Sequence, residues 1–268
     1  MDLKLLTSLN LKAYELKAKK RLGQNFLVSE KALNKIINAA DIKTDELILE
    51  IGPGTGNLTR LLAEKTKNLV CLEKDTDMQE LLAEFPVKYV DALEFDPNTL
   101  GSDGYKLIAN IPYYITSPLI NHFLKDQFKK GPDGNPPKLM VLLVQKEVAE
   151  KICDPTFNSF LAIGIRTFGK PSIAGLVKRG CFLPSPNVDS AILKIEVYPK
   201  PLVKCDLDKY FNVCSMAFAN PRKKISNNLK KYIESLGMTV EIFDERTGVN
   251  MNLRAEKLEP ADFEKMVF

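Results

Sequence analysis

The chain has 268 residues, of which 45% are hydrophobic, so it is long enough to bury a core in one large and one small domain. Five cysteines without a C-x-x-C pair and a single histidine offer too few ligands for a zinc site, so we expect no metal and a reduced, cytoplasmic protein. No apolar run approaches the roughly 20 residues of a membrane span, so we expect no membrane association, and the N-terminus lacks the apolar region of a signal peptide. The net charge is +4, and it is unevenly distributed.

Basic residues are concentrated near the N-terminus. Residues 1–35 carry eight lysines and arginines against three acids, and Lys19, Lys20 and Arg21 stand together. Such a cluster on a nearly neutral protein indicates a polyanionic partner, although it is also typical of a solvated helix face. Ser29 is a suitable N-cap, so a helix is predicted after it.

A glycine loop between a strand and a helix is the first indication of a nucleotide cofactor. The apolar run over 47–51 leads into Gly52-Pro-Gly54-Thr-Gly56, and a helix is predicted from about Asn57. Glycines let the backbone approach a ligand closely and adopt positive φ. This arrangement is typical of dinucleotide and S-adenosylmethionine sites, and no Gly-Lys-Ser/Thr follows that would indicate a P-loop.

Acidic side chains follow the next two predicted strands. The strand over 68–73 ends at Glu73, and the strand over 87–90 is followed by Asp91. An acid about twenty residues beyond the glycines binds ribose hydroxyls, and a second acid at a strand end suits an adenine amino group. Each acid could instead be an ordinary turn residue.

The segment Asn110-Ile111-Pro112-Tyr113 follows a predicted buried strand over 105–109. The Asn110 side-chain oxygen and the Ile111 carbonyl could accept the two N6 protons of an extruded adenine, in a turn that Pro112 stiffens. Tyr113 offers a flat face for stacking. Two hydrogen bonds to the amine would direct its lone pair at an electrophile. From these residues alone, a strand that ends in an Asn-Pro turn is an equally good interpretation.

The predicted strand ends meet at one place. Gly52, Glu73, Asp91 and Asn110 would lie on one rim of a parallel sheet, which is where such sheets bind ligands. Further strands are predicted over 139–144, 172–177 and 190–197, and helices begin near residues 116, 145 and 159.

The C-terminal part of the chain has a helical pattern. Residues 198–201 have the composition of a linker, and helices are predicted beyond it over 207–219, 225–235 and 261–266. A second basic cluster lies here, with no acid between residues 217 and 232. Its members are Arg222, Lys223, Lys224, Lys230 and Lys231.

Taken together, these blocks resemble the ribosomal RNA adenine dimethyltransferase family. The matching segments cover almost the whole chain. Together they are specific to this family, although no single segment is. Tyr114 stands where many members have Asn, which leaves the Asn-x-Pro-Tyr core intact. The matching blocks are residues 20–27, 50–56, Glu73, Asp91-Ala92, 110–113, 145–149, 186–191, Ala217-Phe218, 222–224 and 253–256.

The resemblance implies an α/β fold. Residues 1–198 would form a Rossmann-like S-adenosylmethionine-dependent methyltransferase domain with a mostly parallel seven-stranded sheet, and residues 199–268 a small all-helical domain that binds RNA or the ribosome. The implied reaction dimethylates N6 of two adjacent adenines in the 3′-terminal hairpin loop of small-subunit (16S) rRNA, during small-subunit biogenesis. The implied partner is rRNA within an immature 30S subunit, and we expect a monomer.

The resemblance also assigns residues. The cofactor would contact Asn25, Leu27, Gly52, Gly54, Glu73, Asp91 and Asn110. The catalytic group would be Asn110, Ile111, Pro112, Tyr113 and Phe182, with the base between the rings of Tyr113 and Phe182. The two basic clusters, independently of the resemblance, predict that RNA would bind Lys19, Lys20, Arg21, Arg222, Lys223, Lys224, Lys230 and Lys231. No general base is needed, because a methyl sulfonium is already a strong electrophile.

Several alternatives remain open from the sequence. Within the family, enzymes of the erythromycin-resistance type methylate large-subunit (23S) rRNA. A methyltransferase for another amine, such as a glutamine side chain or a free nucleotide, would use the same chemistry. A non-catalytic RNA-binding assembly factor could share the scaffold. A nicotinamide dehydrogenase fits less well, because Gly52-Pro-Gly54 departs from G-x-G-x-x-G.

Overall fold

The computed structural model describes residues 2–101 and 103–268, which form two compact units. The first unit comprises Met1–Ala149 and Pro171–Val197, and the second comprises Glu150–Lys170 and Tyr198–Phe268. The predicted domains, residues 1–198 and 199–268, therefore differ from these units at residues 150–170 and at Tyr198.

The first unit is built on a seven-stranded sheet. Its strands and those of a small two-stranded sheet are β1 (Phe26–Leu27), β2 (Leu47–Ile51), β3 (Leu69–Glu73), β4 (Val87–Tyr89), β5 (Tyr105–Ala109), β6 (Leu139–Gln145), β7 (Gly169–Val177), β8 (Phe182–Leu183) and β9 (Ser190–Val197). The large sheet has the order β4-β3-β2-β5-β6-β9-β7. Neighbours from β4 to β6 are parallel, and β6 pairs antiparallel with β9. The predicted mostly parallel seven-stranded sheet is confirmed.

The central strands are buried because their sequences are continuously apolar. All six residues from Leu139 to Val144 on β6 are buried, which is typical of a strand covered on both faces. The two-stranded sheet joins β1 to β8 antiparallel, with Leu27 opposite Phe182. Those two residues belong to the same buried cluster as the inner face of the helix over 30–40.

The α-helices lie between the strands and in the C-terminal part of the chain. Ser29 caps the second helix as predicted, since its side chain accepts a hydrogen bond from the Ala32 amide. Along the described part of the chain, no helix is long and apolar enough to cross a membrane. The helices are α1 (Leu3–Ala13), α2 (Glu30–Ala40), α3 (Asn57–Lys65), α4 (Thr116–Ile120), α5 (Asp126–Lys129), α6 (Lys146–Cys153), α7 (Phe160–Phe168), α8 (Leu207–Phe218), α9 (Ile225–Asn228), α10 (Lys230–Ser235), α11 (Val240–Thr247) and α12 (Pro260–Lys265).

The second unit is helical and includes α7 because of aromatic packing. The ring of Phe211 on α8 lies 6.3 Å from that of Phe160 and 5.7 Å from that of Phe168, centroid to centroid. Aromatic side chains contribute large buried areas, so these contacts hold residues 150–170 with the C-terminal helices. A linker-like composition at 198–201 carries no information about this packing.

Two helices of the second unit differ from the sequence prediction. The pattern over 225–235 predicts one helix, but Leu229 adopts φ −93° and ψ 2° and separates α9 from α10. The side chain of Asn228 turns back to donate hydrogen bonds to the Ala217 and Asn220 carbonyls instead of continuing the helix face. Helix α11 was not predicted, although the Thr239 N-cap is a local signal for it.

Candidate cofactor and substrate site

An open pocket lies at the carboxyl ends of β2, β3, β4 and β5 in the first unit. It contains about 1010 Å³ of empty space, including the part that is open to solvent. The structure brings all predicted catalytic and cofactor-binding residues to this pocket, which is the predicted rim of the sheet. They are Asn25, Leu27, Gly52, Gly54, Glu73, Asp91, Asn110, Ile111, Pro112, Tyr113 and Phe182.

The glycine loop after β2 presents bare backbone to the pocket. Gly52 and Gly54 have φ of 72° and 55°, a region that side-chain-bearing residues rarely adopt. A β-carbon on Gly54 would lie 3.1 Å from the Phe26 ring, and one on Gly52 would lie 3.5 Å from the Asn110 carbonyl oxygen. A side chain at either position would therefore be strained by the positive φ, and one at Gly54 would also press on the Phe26 ring.

Glu73 connects the glycine loop to the end of β3. It is only 6% exposed, and its carboxylate accepts hydrogen bonds from the Gly54 amide at 3.0 Å and the Asp75 amide at 2.8 Å. Burial raises the pKa of Glu73, and these amide hydrogen bonds oppose that rise. Each carboxylate oxygen has two lone pairs, so both oxygens can still accept a hydrogen bond from a ligand hydroxyl.

Asp91 follows β4 and is paired with Lys74. Its Oδ2 accepts a hydrogen bond from the Lys74 ammonium at 2.6 Å, and its Oδ1 accepts one from the Leu93 amide at 3.0 Å. Burial raises the pKa of Asp91, but these hydrogen bonds outweigh burial and lower it overall. Asp91 is therefore ionised at neutral pH, and its carboxylate can accept a hydrogen bond from an amino group. Lys74 also lines the pocket, although the sequence did not single it out.

The segment before β1 is attached to the loop after β3. The Lys19 ammonium lies 2.5 Å from carboxylate oxygens of both Asp75 and Asp77, and the Gln24 amide donates to Asp75 at 2.7 Å. Lys19 thus has partners inside the protein, whereas its predicted RNA-binding neighbours Lys20 and Arg21 are exposed. The sequence did not predict that Gln24 and Asp75 contact each other. The only local indication for Asp75 is its position two residues beyond Glu73.

The segment after β5 presents an amide and a ring. The Asn110 Nδ2 donates to the Asn25 carbonyl at 3.4 Å, and its Oδ1 accepts no hydrogen bond within residues 2–101 and 103–268. The Tyr113 hydroxyl lies 2.7 Å from the Ser190 Oγ. Burial raises the pKa of Tyr113, so its phenol stays protonated at neutral pH. Phe182 lines the same pocket but is only 2% exposed, since most of its ring belongs to the core.

The second basic cluster is exposed on the second unit. Arg222, Lys223 and Lys224 lie in the turn after α8, and Lys230 and Lys231 begin α10. They are exposed, so their charges face solvent. Lys224 donates to the neutral amide of Asn252 at 2.9 Å, and Lys230 lies 3.9 Å from Glu234, so the cluster keeps most of its positive charge.

The comparisons with known proteins agree on one family. Residues 15–267 match the family model described as ribosomal RNA adenine dimethylase. The chain is 36% identical to a ribosomal RNA small subunit methyltransferase A of Clostridium botulinum (strain Loch Maree / Type A3), over 94% of both chains. It is 35% identical to the protein of the same name from Dehalococcoides mccartyi (strain CBDB1), over 96% of this chain and 89% of that one.

Two solved structures are similar over most of the chain. A dimethyladenosine transferase from Plasmodium falciparum has a TM-score of 0.72 at 26% identity, with 90% of this chain and 95% of that chain covered. The 23S rRNA methyltransferase ErmE has a TM-score of 0.68 at 25% identity, with 91% and 98% covered.

Proposed function

This chain belongs to the ribosomal RNA adenine dimethylase family, and we propose how its pocket carries out that family's reaction. It is an S-adenosylmethionine-dependent enzyme that dimethylates N6 of adjacent adenines in small-subunit rRNA. The large-subunit alternative has less support, because the small-subunit methyltransferases are 35–36% identical to this chain and ErmE is 25% identical. The observation that carries the proposal is the shared pocket that holds Asn110, Tyr113, Glu73 and Asp91.

The residues around the glycine loop fit S-adenosylmethionine. Gly52 and Gly54 would take the amino acid part of the cofactor against bare backbone, Glu73 would accept the ribose hydroxyls, and ionised Asp91 would accept from the adenine amino group. Asn25 and Leu27 would close the other side of the pocket. When bound, the cofactor supplies a methyl sulfonium, which is electrophilic enough to react without a general base.

The segment after β5 would hold and orient the target amine. The Oδ1 of Asn110, which accepts no hydrogen bond from the residues that the structure describes, and the carbonyl oxygen of Ile111 would each accept a hydrogen bond from one N6 hydrogen. This favours a pyramidal nitrogen whose lone pair points away from both acceptors. Tyr113 and Phe182 would hold the base between their rings. The enzyme's contribution is then alignment and exclusion of water.

A methyl-transfer assay tests the assignment. We expect tritiated methyl groups from S-adenosylmethionine to enter unmethylated small subunits and to be recovered as N6,N6-dimethyladenosine. Unmethylated large subunits, assayed in parallel, are the control for the erythromycin-resistance alternative. Calorimetric titration with S-adenosylmethionine and with NAD separates a methyltransferase from a dehydrogenase. Recovery of label only from large subunits, or of no labelled nucleoside at all, would overturn the proposal.

The site acids give a prediction about cofactor affinity. Glu73→Ala removes hydrogen bonds to the ribose and Asp91→Ala removes one to the adenine, and the loss of each bond should cost about 1–3 kcal/mol of binding free energy. Glu73→Ala should also lower thermal stability, because it leaves the Gly54 and Asp75 amides without an acceptor. Calorimetry measures the affinity, with Glu84→Ala as the control, since Glu84 is exposed and outside the pocket lining. An unchanged affinity for S-adenosylmethionine in both variants would contradict the assignment of Glu73 and Asp91 to the cofactor site.

The basic cluster of the second unit gives a prediction about RNA docking. We propose that Arg222, Lys223, Lys224, Lys230 and Lys231 contact rRNA phosphates, as do Lys20 and Arg21 on the first unit. Replacement of the basic side chains of this cluster with neutral ones should weaken binding of the protein to small subunits. The salt dependence of log K should flatten by about 0.7–0.9 for each phosphate that the protein no longer neutralises.

A matched pair of variants makes this measurement specific. Lys230→Gln with Lys231→Gln removes two charges from the cluster, and Lys65→Gln with Lys67→Gln removes two exposed charges elsewhere. Only the first pair should change the salt slope, and neither should change the calorimetric affinity for S-adenosylmethionine. Equal slopes for both pairs and the wild type would show that the cluster is ordinary surface.

The finer biological setting is also a proposal. We expect the substrate to be rRNA within an immature 30S subunit, because the reaction needs adenines that can still be extruded into the pocket. We further propose a cytoplasmic enzyme that acts as a monomer. Light scattering of the purified protein at assay concentration measures the oligomeric state, and a stable dimer would contradict the last point.

A further inference from the structure

The hydroxyl of Tyr113 has a fixed partner inside the protein. Its oxygen lies 2.7 Å from the Oγ of Ser190, the first residue of β9. Ser190 has no exposed surface, so its hydroxyl is shielded from water, whereas Tyr113 is half-buried and lines the pocket. The ring of Tyr113 is therefore held at both ends, by its own backbone and by its hydroxyl.

The two partners differ in how firmly the backbone holds them. Tyr113 begins a three-residue 3₁₀ turn, Tyr113–Ile115, which leads directly into α4 and fixes the backbone but not the side-chain torsions of Tyr113. Ser190 lies in the large sheet, where it is paired in register with Gln145 on β6. The hydrogen bond therefore ties the Tyr113 ring to β9 and restricts rotation about the side-chain bonds of Tyr113.

We propose that Ser190 is a positioning residue that fixes the ring plane of Tyr113 for stacking of the target adenine. This inference rests on the proposed stacking role of Tyr113. A ring that is already oriented loses no further conformational freedom when the base enters. A larger fraction of the bound adenines would therefore have N6 aligned with the methyl group of the cofactor. The hydroxyl serves orientation and not proton transfer, since its hydrogen-bonding partner is a serine that is sealed from solvent.

A double-mutant cycle tests the inference. Tyr113→Phe and Ser190→Ala each break the same hydrogen bond, so each should lower the single-turnover methyl-transfer rate by about threefold at saturating cofactor and RNA. The double variant should be no slower than the slower single variant. The calorimetric affinity for S-adenosylmethionine and the affinity for small subunits should not change, because the ring remains present.

Two further variants separate the possible causes of failure. Tyr105→Phe is the matched control: it removes a buried phenol hydroxyl, bonded to the Asn135 carbonyl, at the opposite end of β5, and should leave the rate unchanged. Tyr113→Ala removes the ring itself. If Tyr113→Ala is slow but Ser190→Ala and Tyr113→Phe match the wild type, the positioning role is wrong and the stacking role stands. If Tyr113→Ala also matches the wild type, the stacking role fails with it. Rate losses that multiply in the double variant would likewise overturn the inference, because the two groups would act independently.

Discussion

Asn110→Ala should reduce methyl transfer by a hundredfold or more while leaving the affinity for small subunits unchanged. Removing one preorganised hydrogen-bonding group from a reacting centre typically costs on the order of 10²–10³ in rate. Asn110 fits this role because it lines the pocket and its Oδ1 accepts no hydrogen bond from the described part of the chain. Without that acceptor, one N6 proton is unbound and the nitrogen lone pair is no longer directed.

The measurement must separate alignment from cofactor binding. Asn110 also donates to the Asn25 carbonyl at 3.4 Å, so its loss disturbs the segment expected to contact the cofactor. Single-turnover rates are therefore measured at saturating S-adenosylmethionine. Asn98→Ala, at an exposed asparagine outside the pocket lining, is the control and should be indistinguishable from wild type. If Asn110→Ala kept full activity at saturation, the segment after β5 would be only a strand-end turn.

An acidic substitution distinguishes an acceptor from a donor at this position. Asn110→Asp keeps the acceptor Oδ1 and replaces the donor Nδ2 with a second acceptor oxygen. We expect it to retain more activity than Asn110→Ala if the working atom is Oδ1. If the working group were Nδ2, the aspartate would be at least as defective as the alanine, because its charge would also repel the Asn25 carbonyl.

The strands and the glycine loop were predictable because their signals are local. The apolar runs that form β2, β3, β5 and β6 are short and bounded by polar residues, and they bury both faces of the sheet. Positive φ at Gly52 and Gly54 follows from the need for bare backbone beside a ligand. Because parallel strands end at one rim, the order of these signals in the chain was enough to collect the polar strand ends into one site.

The contacts that hold the site in shape were not predictable in the same way. Lys19 and Asp75 are 56 residues apart, and Tyr113 and Ser190 are 77 residues apart. Neither pair has a local pattern that names the partner, so Lys19 was grouped with the RNA-binding lysines by composition alone. The segment 150–170 shows the same limitation, since its helix α7 packs on α8 through Phe211, far along the chain.

Phe182 illustrates how burial changes the design of an experiment. It is 2% exposed and packs in a cluster with Leu27 and Val177. Phe182→Ala would cost about 3–5 kcal/mol of folding free energy, as large-to-small substitutions in a core do. A loss of activity in that variant would not distinguish stacking from unfolding. Phe182→Leu keeps most of the apolar volume and removes only the flat aromatic face, which makes it the informative change.

Tyr113→Ala should slow methyl transfer by about one to two decades, because a stacking face for one base is worth roughly 1–3 kcal/mol and each 1.4 kcal/mol is tenfold in rate. Tyr113→Phe keeps that face and loses only the Ser190 hydrogen bond, so it should remain well above the alanine variant. The methyl-transfer rate of Phe182→Leu should be about one decade below that of the wild type if the base lies between both rings.

Fluorescence of 2-aminopurine at the target position reports stacking directly. Its emission should be quenched on binding to wild type and to Tyr113→Phe, and less so with Tyr113→Ala or Phe182→Leu. Thermal unfolding of each variant identifies any loss that comes from the core. If Tyr113→Phe were as slow as Tyr113→Ala, the hydroxyl would be the working group. If Phe182→Leu quenched the probe as wild type does, the base would stack on Tyr113 alone and Phe182 would serve only the core and the pairing of β8 with β1.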